Sequence, residues 1–223
     1  EFTSKLKDAR AIPEQMQKNM KNWRKNAHPM DVLQAFVAAL AGYYDEKGTE
    51  KEISQQRAIN LIAKVPTIIS SWERVRNDKD PIQPDSKLSH AANFLYMLTG
   101  EKPDKEMERV FDVCLILHAD HTFNASTFAA REVASTRAHM YSAVSAAVGA
   151  LSGELHGGAN FEVMKMLLDI KEEDNVEDWV KEKIGNGDRI MGMGHAVYKT
   201  VDPRSMVLKE LSKKLSEKTG LPW

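Results

Sequence analysis

Histidines are the residues of this chain most able to do chemistry. There are seven, and four stand in unusual settings: His118 and His121 in LHADHTFN, His156 in LHGGAN, and His195 in GMGHAVYKTVDPR. His118-x-x-His121 has the spacing of half a metal site, because i and i+3 share a helix face. Zinc needs a third and usually a fourth ligand, no partner motif supplies one, and no metal site is expected. Two readings of the pair stay open, buried core histidines bonded to backbone groups or contacts to a substrate.

His156 is followed by Gly157-Gly158 and then by a helical pattern. Paired glycines let a ligand approach the backbone, and the positive end of a helix dipole disfavours imidazolium. Such a histidine donates a hydrogen bond without carrying charge, as a helix N-terminus arranges in another enzyme. The competing reading is a glycine pair that caps the preceding helix, with an incidental histidine. His195 follows Gly192-x-Gly194, which is no dinucleotide fingerprint, since no strand precedes it and the third glycine is absent. Arg204 stands just inside a helix start, behind Asp202-Pro203. There it can join the helix N-terminus in holding a carboxylate or phosphate, or it can be a surface arginine paired with Asp202.

The elements that must position these groups are helices. Residues 30–44 place Val32, Leu33, Phe36, Val37, Leu40 and Tyr44 at three- and four-residue steps, the helical period. Residues 52–76 repeat the pattern, with Pro66 expected to kink or split the helix. A loop at 77–86 leads to a short helix over 87–98 that Gly100 can cap. The next helix, 104–119, carries a stripe that runs from Met107 to His118 and His121. Residues 126–138 and 139–153 form two more helices, the second rich in Ala, Ser and Gly and so suited to close packing. Helices follow at 160–171 and 176–184, then a glycine-rich loop at 185–203, then a helix over 204–219 capped by Asp202 and ended by Gly220. No segment alternates with strand period. The fold class is all-α, with a larger unit over 1–160 and the start of a smaller one over 161–223.

Composition narrows the partners. Thirty-one basic and 32 acidic side chains leave a net charge of −1, so no global field draws nucleic acid or an anionic membrane. The basic residues near the N-terminus read as a solvated helix face. One cysteine, Cys114, forms no internal disulfide and reads as a buried thiol. No apolar run reaches the roughly 18–20 residues of a membrane span, and EFTSKLKDAR lacks a signal h-region. The expectation is a cytoplasmic protein with no membrane or nucleic-acid partner. Because it starts without Met, the chain is expected to be a fragment or a processed product.

Four segments, HPMDVL (28–33), LHADHTFNASTFAAR (117–131), LHGGAN (155–160) and GHAVYKTVDPR (194–204), occur in an order that resembles the citrate synthase and 2-methylcitrate synthase family. The resemblance covers most of the chain. It departs at Met193, where the family more often has an aromatic or aliphatic residue. It implies a multi-helical fold with a large and a small domain, a homodimer, no permanently bound cofactor, and acetyl-CoA as co-substrate. The implied reaction is condensation of acetyl-CoA with oxaloacetate and water to citrate and CoA, a step of the tricarboxylic acid cycle, by an acyltransferase that forms a carbon–carbon bond. The alternatives are 2-methylcitrate synthesis from propionyl-CoA, or a helical fragment that does no chemistry.

By the same resemblance, His156 bonds the thioester oxygen during enolisation and His195 polarises the oxaloacetate carbonyl. His121 and Arg204 contact its carboxylates. The turn Ile190-Met191-Gly192-Met193-Gly194 receives the CoA adenine, and Lys199 lies near a CoA phosphate. The family's catalytic Asp comes downstream of GHAVYK in a segment that no residue here matches. The C-terminal part of the fold is therefore expected to be missing, the chain alone inactive, and apolar faces exposed where further helices would pack.

Overall fold

The computed structural model describes residues 1–120, 122–171, 173–194 and 199–220. Among these the chain forms eleven α-helices and no strand. It divides into two compact units, Glu1–Ser152 and Gly153–Trp223. The first holds α1 (Phe2–Asp8), α2 (Glu14–Met20), α3 (Pro29–Ala39), α4 (Glu50–Arg76), α5 (His90–Thr99), α6 (Lys105–Leu117), α7 (Ala125–Ser135) and α8 (Met140–Leu151). The second holds α9 (Gly158–Ile170), α10 (Val176–Gly185) and α11 (Pro203–Thr219).

Helix α4 is the axis of the first unit. Its start is fixed by a capping box, in which Thr49 Oγ1 accepts from the Glu52 amide and Glu52 Oε2 accepts from the Thr49 amide at 2.9 Å. Pro66 does not split the helix, which runs unbroken through it. A mid-helix proline costs about 3 kcal/mol. Both halves of α4 bury side chains in the unit, Leu61 and Ala63 before the proline, Ile68, Trp72 and Val75 after it, and that burial outweighs the lost bond. With them pack Met16 and Met20 of α2, Val32, Phe36 and Val37 of α3, and Tyr141 of α8.

Helix α8 does pack closely, as its small residues predict. A Cβ on Gly149 would lie 2.5 Å from Gln34 Nε2 of α3, and Ser145 Oγ donates to the Gln34 carbonyl at 3.0 Å. Tyr141 anchors α8 to α4 through polar bonds. Its hydroxyl donates to Glu46 Oε1 at 2.5 Å and accepts from Asn60 Nδ2 at 3.0 Å. Burial, with the Glu46 hydrogen bond, raises the Tyr141 pKa above its ordinary value, so the phenol stays a donor.

Most basic residues near the N-terminus are solvent-exposed as expected, and Arg10, in the strap between α1 and α2, is the exception. Arg10 is only 2% exposed. Its Nη1 donates to the carbonyls of Asp85 (2.9 Å) and Leu88 (3.1 Å), and its own carbonyl accepts from Thr67 Oγ1 at 2.8 Å. Beside it the buried Lys64 ammonium donates to the Ala9 carbonyl.

Burial pushes the Lys64 pKa down to about 8 from 10.5. Below pH 8 both folded and unfolded chains carry the proton, and the fold bears the cost of the buried charge. Between about 8 and 10.5 the unfolded chain binds more protons, so this group makes stability rise with pH. The unfolding free energy of the protein minus that of its Lys64→Met variant should therefore climb across this window in urea titrations. A flat difference would contradict the burial argument.

Apolar side chains are exposed in both units, among them Ile116, Phe123 and Phe128 in the first and Leu155, Met193, Val201 and Met206 in the second. In the first unit α3, α4 and α5 also enclose a groove of about 480 Å³ lined by Met30, Leu33, Ile69, Trp72 and Phe94.

Candidate functional site

The second unit begins with a tight turn that leads His156 into α9. Helix α8 has already ended at Leu151, with Ser152 as its C-cap. Gly157 is the N-cap of α9, at φ −70°, and Gly158 its first residue. The glycine pair therefore opens α9 and does not cap α8. Two bonds close the turn onto Gly153: its carbonyl accepts from the His156 amide at 2.9 Å and from the Gly158 amide at 3.0 Å. His156 itself is half-buried, immediately ahead of the helix N-terminus, where donors and positive dipole converge.

The turn Ile190–Gly194 rests on the same helix. The Met193 amide donates to the Ile190 carbonyl at 3.3 Å. Gly192 has φ +84°, the left-handed value that the third residue of a type II turn requires. A Cβ there would also lie 3.1 Å from Val163 Cγ2 of α9. Gly192→Ala is thus expected to lose about 1–2 kcal/mol, read as a lower thermal midpoint. An unchanged midpoint would show that the turn relaxes freely. Met193 and Gly194 are exposed, and Lys199 is exposed beyond them.

Helix α11 starts as the sequence predicts. Asp202 Oδ1 accepts from the Arg204 amide at 2.9 Å and Pro203 fills the first helical position. The Arg204 guanidinium turns back onto the same carboxylate, with Nη2 donating to Oδ2 at 2.7 Å and Nε to Oδ1 at 3.1 Å. The pairing with Asp202 is therefore real, and it lies at the helix N-terminus where an anion would also sit. Both residues are only partly exposed.

His121 and His195 lie outside the described residues. His118 is not a core histidine. Helix α6 ends at Leu117, so His118 is its C-cap, exposed, with Nδ1 2.7 Å from the Cys114 carbonyl. The apolar stripe ends there because the backbone leaves the helix. Cys114 is half-buried rather than buried, and burial raises its thiol pKa. Among the described residues no group of three or more His, Cys, Asp or Glu could hold a metal ion. None of the described helices is long and apolar enough to cross a membrane.

The structure thus ties the turn to α9 and Arg204 to Asp202 within one unit. The pairing of Arg204 with Asp202 is one of the two readings that the D-P-R spacing leaves open, and the structure adds its two-pronged geometry.

Comparison with known proteins agrees with the motif order. The family model described as citrate synthase, C-terminal domain, matches residues 1–223. The citrate synthase of Synechocystis sp. is 45% identical over 221 residues, which is 99% of this chain and 56% of that protein. The crystal structure of the Pyrobaculum aerophilum citrate synthase superposes with a TM-score of 0.86 at 39% identity, over 98% of this chain and 57% of that one. The Thermoplasma acidophilum citrate synthase, solved as a ternary complex with carboxymethyl coenzyme A and oxaloacetate, gives 0.88 at 32% identity, over 97% and 57%. The chain therefore spans a little over half the length of these relatives. With a family match over every residue, high identity across nearly the whole chain and the same helical fold, the chain belongs to the citrate synthase family.

Proposed function

We propose that the protein carrying these residues condenses acetyl-CoA with oxaloacetate and water to give citrate and CoA. The observation that carries this reading is His156, held by the Gly153 turn directly before the N-terminus of α9, with the 190–194 turn packed on the same helix. A thioester α-proton is weakly acidic. A carboxylate base can remove it only if the developing enolate oxygen is stabilised, and a fixed donor at His156 supplies that stabilisation. The enolate carbon then attacks the oxaloacetate ketone. Charge moves onto the ketone oxygen, which His195 neutralises, while Arg204 and His121 hold the carboxylates. Water finally cleaves the thioester and releases CoA as free thiol.

In this reading the backbone of Ile190, Met191, Gly192, Met193 and Gly194 receives the CoA adenine and Lys199 meets a CoA phosphate. CoA is a substrate and no resident cofactor is needed. Closure of the family's large and small domains over the substrates excludes water until condensation is done. The working form is a cytoplasmic homodimer. No residue in these 223 stands in the motif that carries the family's base, so the 223 residues by themselves do not turn over.

The test follows thiol release from acetyl-CoA and oxaloacetate, with propionyl-CoA in parallel. Turnover by the 223 residues alone, near the rate of a complete family member, would defeat the claim about the base. In the complete protein, acetyl-CoA is expected to give the higher kcat/KM. One methylene in an acyl pocket is worth only about 1–3 kcal/mol, so a clear propionyl preference would instead make it a 2-methylcitrate synthase.

A further inference from the structure

We infer that Asp202 is a positioning residue, whose carboxylate splints the Arg204 guanidinium for a substrate carboxylate. The inference rests on the reading of Arg204 as an oxaloacetate contact. One carboxylate does two separable jobs here. Its Oδ1 caps α11 by accepting from the Arg204 amide at 2.9 Å. The same group also takes the arginine side chain in a two-pronged grip, Nη2 to Oδ2 at 2.7 Å and Nε to both oxygens at 3.1 and 3.2 Å.

Capping alone does not require the second grip, since Ser and Asn cap helices about as well as Asp. Nor does the helix favour the arginine, because a cation in the first turn opposes the dipole. Asp202 offsets that repulsion. Pro203, between them, fixes one backbone angle of the link. An arginine side chain carries about 2 kcal/mol of rotamer entropy. A guanidinium already held on its Nε edge has lost much of that freedom before a ligand arrives. The side chains are 26% and 28% exposed for Arg204 and Asp202, so the pair is shielded from full solvent screening.

The test uses the active protein with three variants. Asp202→Ser keeps a cap and removes the grip. It is expected to raise the oxaloacetate KM about tenfold, with kcat and the acetyl-CoA KM within about twofold. The thermal midpoint should be lowered by only a few degrees, because a cap remains but the charge opposite Arg204 is gone. Asp202→Asn keeps the cap and one acceptor for Nε, and a smaller rise is expected. Arg204→Gln removes the contact itself and should raise the oxaloacetate KM further. If Arg204→Gln raises that KM but Asp202→Ser leaves it unchanged, the splint is refuted while the role of Arg204 stands. A lower KM in Asp202→Ser would overturn the inference in the other direction, by showing that Asp202 competes with the substrate. An unchanged KM in Arg204→Gln would remove the reading of Arg204 and this inference with it.

Discussion

Replacing His156 with Ala in the active protein is expected to cut kcat by about 10²–10³, with the oxaloacetate KM changed by no more than about twofold. Loss of one donor to a developing oxyanion has that size of effect in other acyl-transfer sites. The asymmetry follows from the role proposed for the residue. A hydrogen bond to the thioester oxygen strengthens as the enolate forms, so its loss falls on the transition state and not on binding of the second substrate. The 153–158 turn sharpens the expectation. The Gly153 carbonyl accepts from both the His156 and the Gly158 amides, so backbone bonds fix the position, and the variant should fold and bind normally. Exchange of the acetyl-CoA methyl protons with solvent would report enolisation separately from condensation. Equal losses in kcat and in oxaloacetate affinity would count against the assigned role.

Arg10→Ala is expected to cost about 3–5 kcal/mol of stability. The estimate joins the void left by a large, fully buried side chain with the loss of its charge-assisted bonds to the Asp85 and Leu88 carbonyls. Burial lowers the Arg10 pKa, and the Asp85 charge works against that shift. A guanidinium remains protonated at neutral pH all the same. Arg10→Lys keeps a charge but has no planar fork, so it should recover only part of the loss. Urea unfolding would measure both, with an unchanged m-value showing that the unfolded state is the same. A loss under about 1 kcal/mol in Arg10→Ala would mean that water replaces the side chain.

The two predictions bear on different kinds of legibility. Although they do not say which helix they serve, two glycines ahead of a helical pattern signal a break in the chain, so the turn at His156 is marked by its neighbours. The same holds for Asp202-Pro203 before α11 and for the glycine that ends α5, where local chemistry selects the cap. Arg10 carried no such sign. In sequence it is one charge among several, and its burial depends on Thr67, Asp85 and Leu88, which lie 57 to 78 residues away. Pro66 left open whether α4 would continue, for a related reason. Its local penalty is real, but the burial on either side of it is a tertiary quantity.

The sequence by itself determined the all-α class, the starts and stops of most helices, and the motif order that marks the family. Those features rest on period, capping and turn chemistry within a few residues, so they survive without knowledge of the fold. Only the tertiary structure decided that the glycine pair opens α9, that the 190–194 turn rests on Val163, that His118 faces solvent, and that Arg204 is held by Asp202. Each of these depends on which surfaces meet or on which rotamer a side chain adopts. Spacing along the chain specifies neither, because packing free energies are summed over neighbours that only the folded chain brings together.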